Sequence, residues 1–312
     1  KRPDRDSRVM GYPRSMTVDP DAPGFYHCMS RCVRRAWLCG DDPVTGKNFD
    51  HRRGWIEARL LHLAESFAVS LYAWAVMSNH THVVLRIDPA AADTWSDEDV
   101  ARRWARLSRS IEPRSEVEWE RRVRVLLTQP DRLAELRGRL GSLSWFMRFL
   151  NEAVARAANA EDDCTGRFWE GRYKCQALLD EAAVLACMAY VDLNPIRAGV
   201  ADSLQESDFT SIQRRLRSMN SGAFRPDASL RPLTGPGTAG PELTLRAYVE
   251  LVARTGRPSS RPAVPAGIRA SPDWWIGCVS RIEEIFATAV GLPDSLREFA
   301  IVTGRSRLRG LA

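Results

Sequence analysis

Two apolar runs, VSLYAWAVM (69–77) and THVVLRI (81–87), are separated only by Ser78-Asn79, and this pairing constrains the fold more than any other feature. β-Branched and aromatic residues around a two-residue polar turn predict a hairpin. Its surroundings extend the pattern. FYHCMSR (25–31) reads as a strand, and residues 55–67 carry helical apolar spacing. After Pro89 the sequence becomes charged and helical, opened by Ser96 with Asp99 three residues on, a variant of the capping box. Further helical pattern covers 116–127 and 143–158, the latter with a stripe of Trp145, Phe146, Phe149, Leu150 and Val154. RYKCQALL (172–179) predicts another strand, and Asp180 caps a helix over 181–193 that Asn194-Pro195 ends. The order β-α-β-β-α-β-α with a helical insertion predicts an α+β, ferredoxin-like split β-α-β fold.

The domain organisation follows from composition shifts. Residues 1–15 read as a flexible basic leader, 16–220 as the main domain with its insertion at about 90–160, and the Gly/Pro/Ser-rich 221–242 as a linker. Residues 243–312 read as a helical accessory DNA-binding region, with short helices at 281–289 and 294–300. The seven cysteines are odd in number and form no CxxC pair, which fits a reducing cytoplasm rather than disulfides or a zinc module. No run of eighteen apolar residues is present, and no apolar stretch follows the basic start, so neither a membrane helix nor a secretory signal is expected.

Of 45 cationic residues only Lys1, Lys47 and Lys174 are lysines, and the net charge is +6. Arginine's planar fork suits phosphate, so the excess fits a polyanionic partner; a GC-rich coding sequence would give the same bias.

The chain has five histidines, and two of them, His80 and His82, stand at i, i+2 on a predicted strand. A period of two turns both imidazoles to one face, where they could hold a divalent metal or simply lie on the strand's surface. Tyr190 and Asn194 are four apart on the helix after Asp180, so a phenol and a carboxamide share a face. An aromatic on a buried helix face followed by a helix-ending Asn-Pro would read the same way.

Taken together, SNHTHVV, RFWEGRYKC and YVDLNPIRAG resemble the HUH-type single-tyrosine transposases, especially the REP-associated tyrosine transposases and related transposases of single-stranded-DNA insertion sequences. The similarity spans roughly residues 16–215. It implies an HUH endonuclease domain in which Tyr190 is the nucleophile and His80, His82 and Asn194 hold Mg²⁺ or Mn²⁺. It also implies cleavage and rejoining of single-stranded or hairpin DNA through a covalent 5′-phosphotyrosine, in a nucleoid-associated protein. Thr81 stands where the family has a bulky hydrophobe, and Asn194 where some relatives have Gln. Monomer and homodimer are both open.

Candidate DNA contacts are Arg34 and Arg35 after the first strand, the loop residues Arg167, Phe168, Trp169 and Arg172, and Lys174. In that loop cations alternate with aromatics, which suits stacking on unpaired bases or, equally, packing into the core with solvated arginines. The arginines of 102–109 are further candidates. Two other functions compete: a domesticated, non-catalytic nucleic-acid-binding protein of the same fold, and a metal-dependent hydrolase built on His80 and His82.

Overall fold

A computed structural model describes residues 17–33, 38–42, 46–107, 115–223, 233, 243–257, 264–265, 267–306 and 308–310. Along the chain the elements are β1 (Gly24–Arg31), α1 (His51–Ser66), β2 (Val69–Val76), β3 (His80–Ile87), α2 (Pro89–Asp93), α3 (Asp97–Arg106), α4 (Glu116–Leu127), α5 (Pro130–Leu140) and α6 (Leu143–Glu161). They continue with β4 (Lys174–Leu178), α7 (Glu181–Asp192), α8 (Asn194–Arg197), α9 (Ser211–Asn220), α10 (Leu245–Thr255), α11 (Pro272–Ile285), β5 (Ala289–Val290) and α12 (Pro293–Val302). This is an α+β architecture on one five-stranded sheet of order β2-β3-β1-β4-β5.

The hairpin forms where the sequence predicts it, closed by the Met77 amide donating to the His80 carbonyl at 2.9 Å. β1 lies antiparallel between β3 and β4. The crossover through α1 therefore skips β3, and the one through α2–α6 skips β1, which is a split β-α-β order. Ser96 and Asp99 form a reciprocal capping box at the start of α3.

Helices cover both faces of the sheet, and so β3 is buried nearly throughout. On one face Ile56 of α1 and Val154 of α6 pack with Val76. On the other lies α7, whose small residues AAVLACMA (182–189) are all buried. A helix that is apolar all round needs cover on its outer side as well. The C-terminal segment supplies it: α10 and α11 contact α7, and Tyr248 and Trp275 are fully buried.

The described residues of the C-terminal segment, among them Tyr248, Leu251, Trp275 and Ile282, pack into the same core as the sheet, and β5 adds a parallel edge strand to β4. The expected helix over 281–289 ends at Ile285, and Ala289–Val290 is strand, because the neighbouring β4 edge offers this apolar pair both hydrogen bonds and burial. Most of the expected linker, and the leader, lie outside the described residues. No helix among the described residues is long and apolar enough to cross a membrane.

Candidate active site

The site is built on the sheet face beneath α7. In the β1–β3 ladder Arg31 stands opposite His80, Met29 opposite His82 and His27 opposite Val84, so His27, His80 and His82 emerge on one face. β4 adds Gln176 directly opposite His27. His27, His82 and Gln176 are buried, while His80 is half-buried at the strand end.

Tyr190 comes from the last turn of α7. Its ring meets His82 edge-on at 5.7 Å and His27 at 6.1 Å between centroids. Asn194 donates from Nδ2 to His82 Nε2 at 3.2 Å. Thus Tyr190 and Asn194, four apart in sequence, both reach the same imidazole. The expected stop at Asn194-Pro195 is not a full stop. Leu193 keeps αR geometry and α8 begins at Asn194, with Pro195 in a first turn whose amides lack helical acceptors anyway.

Hydrogen bonding sets the state of the histidine pair. His80 Nδ1 lies 2.6 Å from Asn79 Oδ1, which only accepts, so the ring proton is on Nδ1 and Nε2 keeps its lone pair. On His82 it is Nε2 that accepts from Asn194. Burial, aided by Arg31, pushes His80 down to about 4. Burial and the charges of His80, His27, Arg197 and Arg31 hold His82 well below the usual histidine value. Both imidazoles are neutral near neutrality, as metal ligands must be.

Two neutral imidazoles with Nε2 lone pairs, and a carboxamide whose oxygen would replace its nitrogen by a half-turn, could together hold a divalent ion. Among the described residues no group of three or more His, Cys, Asp and Glu side chains is arranged to hold a metal.

Three neighbours were not anticipated from the sequence. His27 lies 3.0 Å from His82 Nδ1. Glu283, on α11, accepts the Tyr190 hydroxyl at 2.8 Å and stands 3.9 Å from His82 Nδ1. Arg197 lies 4.5 Å over the Tyr190 ring and donates to the Tyr190 carbonyl. Burial first, then the charge and hydrogen bond of Glu283, raise the Tyr190 phenol well above its ordinary pKa of 10.0. The sequence holds no local signal for Glu283, which is 93 residues from Tyr190.

The candidate DNA contacts divide. Arg167, Arg172 and Lys174 are exposed. The 167–172 loop is pinned beside Arg31 by the Glu170 amide donating to the Arg31 carbonyl at 2.8 Å. Exposed Arg31, Arg172 and Lys174 thus lie at the sheet end where His80 starts β3. Phe168 is no base platform: it is 2% exposed and packs against Val154 and Ile56, so its ring faces are already covered. Trp169 is half-buried and spends its indole N–H on the Asn151 carbonyl. Arg34 and Arg35 lie outside the described residues. Arg102 is paired with Glu98 and Glu120, and Arg103 lies over Trp95, so both hold the insertion together.

No family model and no curated protein matches this chain. A solved structure of a REP-associated tyrosine transposase bound to a REP hairpin is similar over 71% of this chain and 93% of that one, at 11% identity and a TM-score of 0.38. A likeness this slight transfers no residue role, so the functional reading rests on the site itself.

Proposed function

We propose that this protein is a transposase-type enzyme that cuts and rejoins single-stranded or hairpin DNA, with Tyr190 as nucleophile. The observation that carries the reading is the meeting at His82 of Asn194 and Tyr190, brought from one helical segment onto a strand pair whose Nε2 atoms keep their lone pairs. Arg31, Arg172 and Lys174 beside His80 form a cationic rim for the phosphate backbone.

Tyr190 Oη attacks the scissile phosphorus. The Oη–P bond forms, the bond to the 3′ oxygen breaks, the phenol gives up its proton, and the leaving oxygen takes one up as a 3′-OH. The phosphotyrosine conserves the bond for rejoining, so no nucleotide cofactor is needed. His80, His82 and Asn194 would hold Mg²⁺ or Mn²⁺, which supplies charge neutralisation at the non-bridging oxygens. Burial and Glu283 hold the phenol neutral in the free protein, so attack requires that it lose its proton.

The test is incubation with labelled single-stranded and hairpin oligonucleotides from the gene's flanks, with Mn²⁺, followed by peptide mapping of the covalent adduct. DNA is expected on the Tyr190 peptide, with no adduct from Tyr190→Phe and an undiminished one from Tyr173→Phe, Tyr173 being the tyrosine that directly follows the 167–172 loop. DNA on the Tyr173 peptide, or a free 5′-phosphate with no adduct at any time, overturns the mechanism. The latter result would favour the metal-dependent hydrolase.

A further inference from the structure

Behind His82 a line of hydrogen bonds runs to a fixed end. His82 Nδ1 meets His27 Nε2 at 3.0 Å, His27 Nδ1 meets Gln176 Oε1 at 2.9 Å, and Gln176 Nε2 donates to the Phe286 carbonyl at 3.0 Å. Taken from the middle, the line could be proton-ordered in either sense, because a neutral imidazole donates from one nitrogen and accepts at the other. The end removes that symmetry. A carbonyl only accepts, and this one lies just past the end of α11, where Phe286 is extended and its C=O is outside the helical ladder.

The Phe286 carbonyl therefore takes the Gln176 N–H and turns Gln176 Oε1 to His27. His27 must then donate from Nδ1 and accept at Nε2, and His82 must donate from Nδ1. Every nitrogen in the line has a partner, and His82 is left with its lone pair on Nε2, the atom that faces Asn194. The nearby Glu283 carboxylate, 3.9 Å from His82 Nδ1, favours the same N–H placement.

We propose that His27 and Gln176 are positioning residues that, anchored on the Phe286 carbonyl, lock His82 as the Nδ1–H tautomer and so make its Nε2 a permanent metal donor. The purpose assigned to this relay rests on the metal reading above. Its existence does not. Outer partners of this kind govern ligand orientation and basicity, and losing one typically costs about 10–100-fold in metal affinity.

Two readouts test it. Long-range ¹H–¹⁵N spectra of metal-free protein labelled in histidine report which ring nitrogen carries the proton. Only five histidines are present, and His62, whose Nε2 faces the Arg106 carbonyl at 3.1 Å, provides the opposite tautomer as a reference. His27 and His82 are expected as Nδ1–H. His82 protonated on Nε2 in the parent protein overturns the proposal, and this needs no substitution. The second readout is Mn²⁺ titration followed by electron paramagnetic resonance. His27→Phe keeps an aromatic ring and removes the acceptor, and it should raise the Nε2–H fraction of His82 and weaken Mn²⁺ by about 10–100-fold. His27→Gln, which restores an acceptor, should recover both. If His27→Phe does not fold, Gln176→Met breaks the line one step further out with the same expectation. An unchanged tautomer and unchanged affinity in the folded variants refute the relay. No Mn²⁺ binding by the parent protein instead refutes the metal reading, and the tautomer spectra then decide the relay alone.

Discussion

Asp192 stands between Tyr190 and Asn194, points away from the histidines, and is fully buried. It accepts from Ser211 Oγ at 2.5 Å, Ile212 N at 3.1 Å, Arg215 Nη1 at 3.2 Å and Tyr248 Oη at 2.5 Å. One carboxylate thus ties the end of α7 to α9 and α10. Asp192→Ala strands the Ile212 amide and the Tyr248 hydroxyl in the interior, at about 1–3 kcal/mol for each buried unsatisfied group, and removes the counter-charge of Arg215. Two terms offset this. Arg215 also donates to the Tyr72 carbonyl and is partly exposed, and burial already holds the Asp192 carboxyl above its ordinary pKa, so relieving the charge returns some free energy.

The net expectation is a loss of about 3 kcal/mol for Asp192→Ala, near the lower end of the cost of breaking a buried ion pair. Asp192→Asn keeps the shape and one acceptor while discarding the buried charge, so it should cost about 1–2 kcal/mol. At roughly 2–4 °C per kcal/mol, the alanine variant should melt about 6–12 °C below the parent. The assay is urea unfolding of the two variants and of Tyr248→Phe, with the Asp192–Tyr248 double-mutant cycle. An alanine loss below about 1 kcal/mol, or an asparagine loss as large as the alanine one, would refute the claim that this carboxylate welds the site's helix to the C-terminal layer.

Other outcomes follow from the same geometry. His80→Ala and His82→Ala should lose Mn²⁺ binding and cleavage, yet retain DNA binding that falls steeply with salt, because affinity resides in arginine–phosphate contacts; full cleavage by the double variant, or in excess chelator, would refute the metal assignment. Glu283→Gln keeps an acceptor for the phenol and removes the charge that raises its pKa, so adduct formation measured at neutral pH should quicken several-fold; slowing would assign Glu283 the proton instead. Truncation after residue 242 should yield an unfolded or aggregating chain by circular dichroism, because it uncovers α7 and removes buried Tyr248 and Trp275; a folded, monomeric truncation would restore the accessory-region view.

The hairpin, the β4 strand and the caps at Ser96 and Asp180 were legible because each is written within a few residues, as alternation, turn chemistry or side-chain capping. The His80–His82 pair and the Tyr190–Asn194 spacing were legible for the same reason: strand and helix periods are local. What connects them was not. His27 is one more strand histidine until β1 is placed beside β3, and Glu283 is an ordinary helix carboxylate until α11 is laid on α7. One signal did speak for the C-terminal layer. The all-round apolar stretch AAVLACMA cannot face water on any side, so a sheet beneath it demanded a further cover above.

The end of α11 then has a double role. The helix is interrupted at Arg281 (φ −143°, ψ 37°), which re-aims its final turn. Three residues apart beyond that break, Glu283 holds the Tyr190 hydroxyl and the Phe286 carbonyl anchors the line behind His82. Burial and the neighbouring Glu283 charge hold the Tyr190 phenol above its ordinary pKa, so in this arrangement the hydroxyl keeps its proton and donates it in a hydrogen bond to Glu283. One helix end, supplied from outside the motif-bearing part of the chain, therefore contacts both the hydroxyl of the proposed nucleophile and the line of hydrogen bonds behind His82, so in the proposed mechanism the C-terminal segment belongs to the site as fully as the strand that bears the histidines.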